Sequence, residues 1–231
     1  MKIKKAFLCA FPYTVPIFAG FLFLGLTYGI YMHVSGFSFW YPMLMSLTIY
    51  GGSLEFVAVS MLLAPYAPIQ TLIMSVMIQA RHLFYGISML DKFRGLGWKK
   101  PYLIFGMCDE TFSINCTAQI PDSIDRGWFY FFVTLLNHLY WFAGATLGGL
   151  LGSLIHFNTE GLEFVMASMF VVIFLEQWGR EKRHISAYIG LAASVLCLLV
   201  FAADSFLIPT MICITAFLTF LRCPIERKEL S

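Results

Sequence analysis

The sequence predicts an all-α, polytopic membrane protein: one integral membrane domain over residues 1–231, with about six to eight helical segments that cross or re-enter a bilayer. Three observations carry this expectation. Hydrophobic residues make up 59% of the chain and aromatics 17%, with a mean hydropathy of +0.78. The 15 Lys+Arg and 13 Asp+Glu amount to 12%, about half the share of a soluble domain. The apolar residues also come in runs of membrane-spanning length, about 20 residues each. A soluble domain of this size could neither hide so much apolar surface nor stay dissolved on so few charges. Composition therefore excludes a cytosolic globular enzyme, a disordered chain and a nucleic-acid-binding module. The net charge of +2 is too small to imply an anionic partner.

The runs are Phe11–Met32, Trp40–Ala64, Ile69–Leu90, Pro101–Ala118, Trp128–Ile155, Leu162–Trp178, Ile185–Ala203 and Ser205–Leu221. The basic start, Met1 to Lys5, looks like the head of a signal peptide. The apolar run behind it continues to about Met32 without a small-x-small cleavage site, so it reads as an uncleaved first span. Gly36 breaks the first loop, Pro65 and Pro68 bracket the second, Gly95 and Gly97 sit in the third, and Pro121 with Gly127 in the fourth. Proline cannot continue a hydrogen-bonded helix and glycine weakens one. Segment one carries Gly20, Gly25 and Gly29, and segment five carries Gly144, Gly148, Gly149 and Gly152. Either these are lead helices of a repeat, or they are small residues that let membrane helices pack closely; the second reading is favoured.

Orientation follows from Lys and Arg in short loops. Basic residues cluster at Lys2/Lys4/Lys5, Lys92/Arg94/Lys99/Lys100, Arg180/Lys182/Arg183 and Arg222/Arg227/Lys228. If all eight segments cross, the Lys92–Lys100 cluster falls outside. If segment two or three, and also segment four, enters and returns on one side, every basic cluster and both termini face the cytoplasm. Segment four is the natural re-entrant piece, because it is short and carries Asp109, Glu110, Thr111, Ser113, Asn115 and Thr117. Both arrangements stay open at this stage. Broken helices of this kind build substrate sites in secondary transporters, where a cavity satisfies the irregular backbone.

Ionisable groups at membrane depth cost several kcal/mol, so each is a functional candidate. Glu55 follows the glycine-hinged turn Tyr50-Gly51-Gly52-Ser53, about fifteen residues into its segment. A carboxylate beside freed backbone groups suits an ammonium group or a proton. Gln79-Ala80-Arg81-His82 lies inside segment three. Arg81 cannot lose its charge and needs a carboxylate, whether Glu55 or a bidentate substrate carboxylate. Asp109 and Glu110 are adjacent and would point about 100° apart on a regular helix. Two such acids at low dielectric favour one holding a proton, which suits a proton-coupled carrier. They serve equally well as first-turn acids at a helix start. The candidates are thus Tyr50, Gly51, Gly52, Ser53, Glu55, Gln79 and Arg81 for substrate, and Glu55, Asp109 and Glu110 for ion coupling. His82 and His138 read as structural hydrogen-bonding groups. Glu176, Asp204 and Arg222 sit at segment ends and read as interfacial.

No catalytic signature, phosphate loop, voltage-sensor ladder or selectivity-filter repeat is present. The six cysteines include no C-x-x-C pair, so the sequence implies no catalytic residues, metal site or cofactor.

Four patterns occur in order: Pro16-x-x-Ala19-Gly20-Phe21 with Gly25, Tyr50-x-Gly52-Ser53-x-Glu55-Phe56, Arg81-His82-x-x-Tyr85 and Asp109-Glu110-x-Phe112. With them the chain resembles the AzlC-type large subunit of branched-chain amino-acid exporters, most clearly over residues 12–115. It departs at Glu55, where that family often has glutamine, and at Gln79, where it often has asparagine. The resemblance implies an inner-membrane permease that exports valine, leucine, isoleucine or similar amino acids, with a small hydrophobic AzlD-type partner subunit. It implies an ion gradient, protons first, as the energy source. Phe56, Phe84, Phe105 and Phe112 are available as an apolar wall. The alternatives are a channel-like membrane protein or an intramembrane enzyme.

Overall fold

The structure, a computed structural model, describes residues 2–154 and 184–201, with isolated positions between 168 and 220. The chain divides into two compact units, Met1–Met166 and Ala167–Ser231. The runs Leu162–Trp178 and Ser205–Leu221 lie largely outside the described residues, as do Glu176, Asp204, Arg222 and the basic residues at 180–183 and 222–228.

The first unit is all helix among its described residues: α1 (Lys2–Val34), α2 (Trp40–Thr48), α3 (Ser53–Leu63), α4 (Pro68–Met89), α5 (Lys99–Phe105), α6 (Asp109–Thr117) and α7 (Arg126–Leu151), followed by a 3-10 turn at Gly152–Leu154. Of these, Ile3–Val34 is long and apolar enough to cross a membrane on length and composition. α4 and α7, with 22 and 26 residues, match the length but carry Gln79, Arg81, Asn137 and His138. Pro68 opens α4, where its missing N–H costs nothing. Asp125 caps α7 by accepting from the Trp128 N–H at 2.9 Å.

α1 and α7 run parallel. Phe7 meets Phe132 near their starts, Phe21 meets Trp141 midway, and Gly152 abuts His33 at their ends. Between these points the glycines interlock. A Cβ at Gly25 would come within 2.9 Å of the Ala145 nitrogen, and one at Gly29 would overlap the Ala145 carbonyl oxygen. Gly148 faces the Leu26 carbonyl in the same way. The glycines of segments one and five thus form a close helix-packing seam. Gly20 lies off it, with open space at its Cβ.

Segments two and four are each a broken helix that doubles back. α2 starts beside the C-terminal end of α7, where Pro42 and Phe39 pack on Gly149. It descends until the Ser46 carbonyl reaches His138, midway along α7. α3 then climbs back, with Phe56 on Tyr28 and Tyr31 of α1, and the short linker 64–67 delivers the chain to α4. α4 runs the full length in the opposite direction to α1. It passes Gly51 at Gln79 and reaches Cys116 at Met89. α5 enters from that far end, where Trp98 packs on Trp128, and climbs until Gly106 touches Thr134. α6 returns to the same end. There the Lys92 Nζ donates to the carbonyls of Asn115 and Cys116 at 2.9 and 3.0 Å, covering the last-turn carbonyls of α6. Among the described residues the re-entrant arrangement is therefore the one formed, and at 7 to 11 residues each arm is too short to cross alone.

These six helices are two inverted copies of one motif: a long helix, then a hairpin re-entering from the end it has just reached. The sequence carries the same register, since Tyr50-Gly51 and Glu55 align with Phe105-Gly106 and Glu110 at one constant interval. The internal symmetry thus relates α1–α3 to α4–α6.

The two ends of the unit differ in charge. Lys4, Lys5, Lys92, Arg94, Lys99, Lys100 and Arg126 lie at the end where α1, α5 and α7 start, whereas linkers 35–39 and 64–67 at the other end have no Lys or Arg. A wide apolar surface is left uncovered, including Ile69, Leu72, Val76, Leu83, Phe84 and Ile87 along α4. An exposed face of that extent requires lipid or another protein.

In the second unit, α8 (Ile185–Val200) is apolar and begins beside Trp178, whose ring stacks on His184 at 3.8 Å and meets Tyr188 edge-on.

Candidate functional site

The two hairpin tips meet at mid-depth. Tip one is Ile49–Gly52. Gly52 has φ +49°, in the left-handed half that L-residues avoid, and Tyr50 is held at φ +47°. Gly51 is needed for space, because a Cβ there would sit 2.5 Å from the Gln79 Nε2. Tip two is Gly106–Cys108, where glycine lets the backbone press onto Thr134. The tips touch through the Tyr50 hydroxyl and the Cys108 Sγ at 3.5 Å.

α3 and α6 both begin at these tips, so two helix N-termini, each with partial positive charge, converge on one place. Arg81 of α4 lies between them. Its Nη2 donates to the Ser53 Oγ at 3.2 Å, and its Nη1 pairs with the Asp109 Oδ2 at 2.7 Å. Two residues earlier and in contact with the same tip, the Gln79 Nε2 donates to the Gly51 carbonyl at 3.3 Å. The Arg81 and Asp109 side chains stay 29% and 28% exposed. One turn further along each helix, Tyr85 and Phe112 stack at 4.4 Å, giving the ion pair an aromatic neighbour.

Glu55 is not the partner of Arg81, as the sequence had suggested it could be. It is fully buried, and its Oε1 accepts from the Gly51 N–H at 2.9 Å and the Trp141 Nε1 at 3.1 Å. The cause is helical periodicity: Glu55 lies two positions after Ser53, about 200° around α3, and so faces α7. The same geometry separates Asp109 from Glu110, and Asp109 is on the guanidinium. Glu110 lies in the first turn of α6, half-buried, near Tyr50 and Cys108. The aromatic expectation is corrected too. Phe84 points outward at 68% exposed and Phe56 is buried against α1, so neither lines this place; Phe112 lies beside it.

Sequence reasoning read His138 as a structural hydrogen-bonding group, which it is, but passed over the rest of the α7 face that holds both tips. Thr134, Asn137, His138 and Trp141 follow the i, i+3, i+4, i+7 spacing of a helix stripe. Trp141 holds Glu55 of hairpin one. Asn137 donates from its Nδ2 to the Thr111 Oγ1 of hairpin two at 3.0 Å. His138 bridges them: its Nε2 lies 3.1 Å from the Ser46 carbonyl and its Nδ1 3.1 Å from the Tyr102 hydroxyl. A carbonyl only accepts, so Nε2 carries the proton and Nδ1 accepts from Tyr102. The spacing was the available signal, but it cannot be told from an ordinary packing stripe without knowing what α7 faces.

Trp141→Phe keeps the ring stacked on Tyr28 but removes the Nε1 donor from a sealed carboxylate. It should lower stability by about 1.5–3 kcal/mol, the worth of hydrogen bonds to a charged group. Glu55→Gln should cost less than about 1 kcal/mol, because one amide oxygen can still accept from both Gly51 and Trp141. Thermal melts of the purified variants compare the two, and a Trp141→Phe protein as stable as wild type would show that the brace is unimportant.

No group of three or more His, Cys, Asp or Glu suited to a metal occurs among the described residues. Residues 16–155, which cover nearly all of the two motifs and α7, match the family described as AzlC protein. The chain belongs to the AzlC family. It is 60% identical, over its whole length and 91% of the relative, to the "Branched-chain amino acid transport protein AzlC" of Bacillus subtilis strain 168. It is also 48% identical to a Haemophilus influenzae protein and 37% identical to one from Helicobacter pylori strain J99, covering 98% and 96% of this chain and 93% and 97% of those relatives. Both carry the description "Uncharacterized membrane protein". No solved structure matches the chain. This AzlC-family chain is thus an all-α membrane protein. A role in transport accords with the name of the Bacillus subtilis relative.

Proposed function

We propose that this chain is the large subunit of a secondary transporter that exports branched-chain or similar apolar amino acids through the bacterial inner membrane. The observation that carries the reading is the pair of opposed hairpins, with one cation and one anion held between their tips at mid-depth. That is the arrangement a carrier needs, since broken helices offer charge and free backbone groups to a substrate. Each hairpin opens toward a different side, so movement of one and then the other against α7 gives alternating access. Tyr50, Gly51, Gly52, Ser53, Gln79 and Arg81 form the substrate side of the site. Asp109, Glu110 and Glu55 are the acids available to couple transport to protons. A channel would not need two closed tips.

The basic end lies in the cytoplasm under the positive-inside rule, together with the N-terminus. In a cysteine-free background, Arg94→Cys should resist an impermeant maleimide added to intact cells, whereas Tyr66→Cys, 93% exposed at the other end, should react. Ready labelling at position 94 alone would invert the orientation.

A small AzlD-type subunit completes the transporter. The deciding experiment loads vesicles with labelled leucine and follows efflux with this chain, the small subunit, or both, with and without a protonophore. Efflux from both together, slowed by the protonophore, is expected. Equal leakage from empty vesicles would remove the transport reading, and full efflux from this chain alone would remove the partner.

A further inference from the structure

The Arg81–Asp109 pair is unlike the other buried polar contacts of the unit. Glu55, His138 and Asn137 are buried where the hairpins pack on α7. Arg81 and Asp109 each keep more than a quarter of the side chain exposed while making a 2.7 Å ion pair. Around this contact buried polar atoms of both kinds have no hydrogen-bond partner: the Arg81 Nε, a donor, and the Gln79 Oε1 and Asp109 Oδ1, acceptors. Buried polar atoms are rarely left this way, and each such atom calls for a missing ligand or water.

We propose that this ion pair opens to clamp a zwitterion: the substrate's carboxylate replaces Asp109 on the guanidinium, and its ammonium group takes the freed Asp109 carboxylate. The inference rests on the transporter reading and deepens it by naming the charges required. The carboxylate takes the guanidinium side-on, at the unpartnered Nε and at Nη2, which lets go of the Ser53 Oγ, as Asp109 leaves Nη1; the Gln79 Oε1 accepts from the ammonium group. The Tyr85–Phe112 stack lies one turn away to receive an apolar side chain. One ion pair is exchanged for two, and the net charge at mid-membrane does not change. A substrate with only one charge cannot do this. A monoanion that takes Arg81 strands Asp109, and a monocation that takes Asp109 strands Arg81, each an uncompensated charge at low dielectric. The site thus selects α-amino acids by both charges together and tolerates variation in the side chain.

The test is binding of labelled leucine to the complete two-subunit complex in nanodiscs, with leucinamide and 4-methylpentanoate as competitors. Each analogue keeps the leucine side chain and one charge. Both should compete at least about tenfold more weakly than leucine. Asp109→Asn should lose leucine binding yet bind 4-methylpentanoate better than wild type, because its Arg81 is left unpaired; this gain cannot come from misfolding. Competition by either analogue at the strength of leucine, or leucine binding unchanged in Asp109→Asn, would overturn the proposal. A wild-type complex that ignores leucine but binds another zwitterion under the same charge rule would end the branched-chain reading while supporting this one.

Discussion

Replacing Arg81 with alanine should abolish transport and also destabilise the protein. The guanidinium joins three elements: α4 that carries it, α3 through Ser53 and α6 through Asp109. Without it, Asp109 is a lone carboxylate between two tips. Removing one member of a buried pair costs roughly 3–5 kcal/mol, and the low end applies here because more than a quarter of each side chain is exposed. Adding Asp109→Ala to Arg81→Ala should restore much of that stability, because no lone charge remains, while leaving transport lost. Arg81→Lys should fold well, but a single ammonium cannot span both Ser53 and Asp109 as a fork does, so apparent substrate affinity should fall about tenfold. Melting temperature and efflux rate against substrate concentration separate these outcomes. Wild-type kinetics in Arg81→Ala would exclude the hairpin tips as the site.

Placing a leucine at Gly29 should be the most damaging change away from the tips. Its Cβ alone would overlap the Ala145 carbonyl oxygen and come close to the Gly149 nitrogen. Backbone atoms cannot rotate aside, so α1 and α7 must separate, at a cost of about 3 kcal/mol or more. Because α7 also carries Asn137, His138 and Trp141, the separation should disturb both hairpins and reduce transport along with stability. Gly20→Leu is the matched control, with open space at its Cβ and no expected loss. Yield of folded protein in detergent and its melting temperature report the effect. Equal behaviour of the two variants would mean that the α1–α7 seam does not hold the unit together.

Much of this architecture was readable in the residues. The glycine-hinged turn before Glu55 and the short polar segment around Asp109 marked both breaks, because Gly-Gly and clustered polar side chains are poor company for a continuous membrane helix. The Lys92–Lys100 cluster favoured a doubled-back segment four. The ordered patterns from Pro16 to Phe112 pointed to the AzlC family, to which the chain belongs. The repeat was visible in principle in the matching registers of Tyr50-Gly51/Glu55 and Phe105-Gly106/Glu110, while the glycines of segments one and five were rightly read as packing residues.

Partner choice was beyond the reach of the residues alone. Composition, loop charge and hydropathy are sums along the chain, so they determine membrane insertion, the number of segments and where helices break. Whether Glu55 or Asp109 meets Arg81 depends on azimuth. A shift of two positions turns a side chain about 200° around its helix, from the Arg81 face to the Trp141 face. That angle has meaning only once the neighbours of α3 and α6 are in place. The stripe on α7 is the same case, because its spacing fits any buried helix face. Only the meeting of two hairpins from opposite ends turns Asn137, His138 and Trp141 into the brace between them.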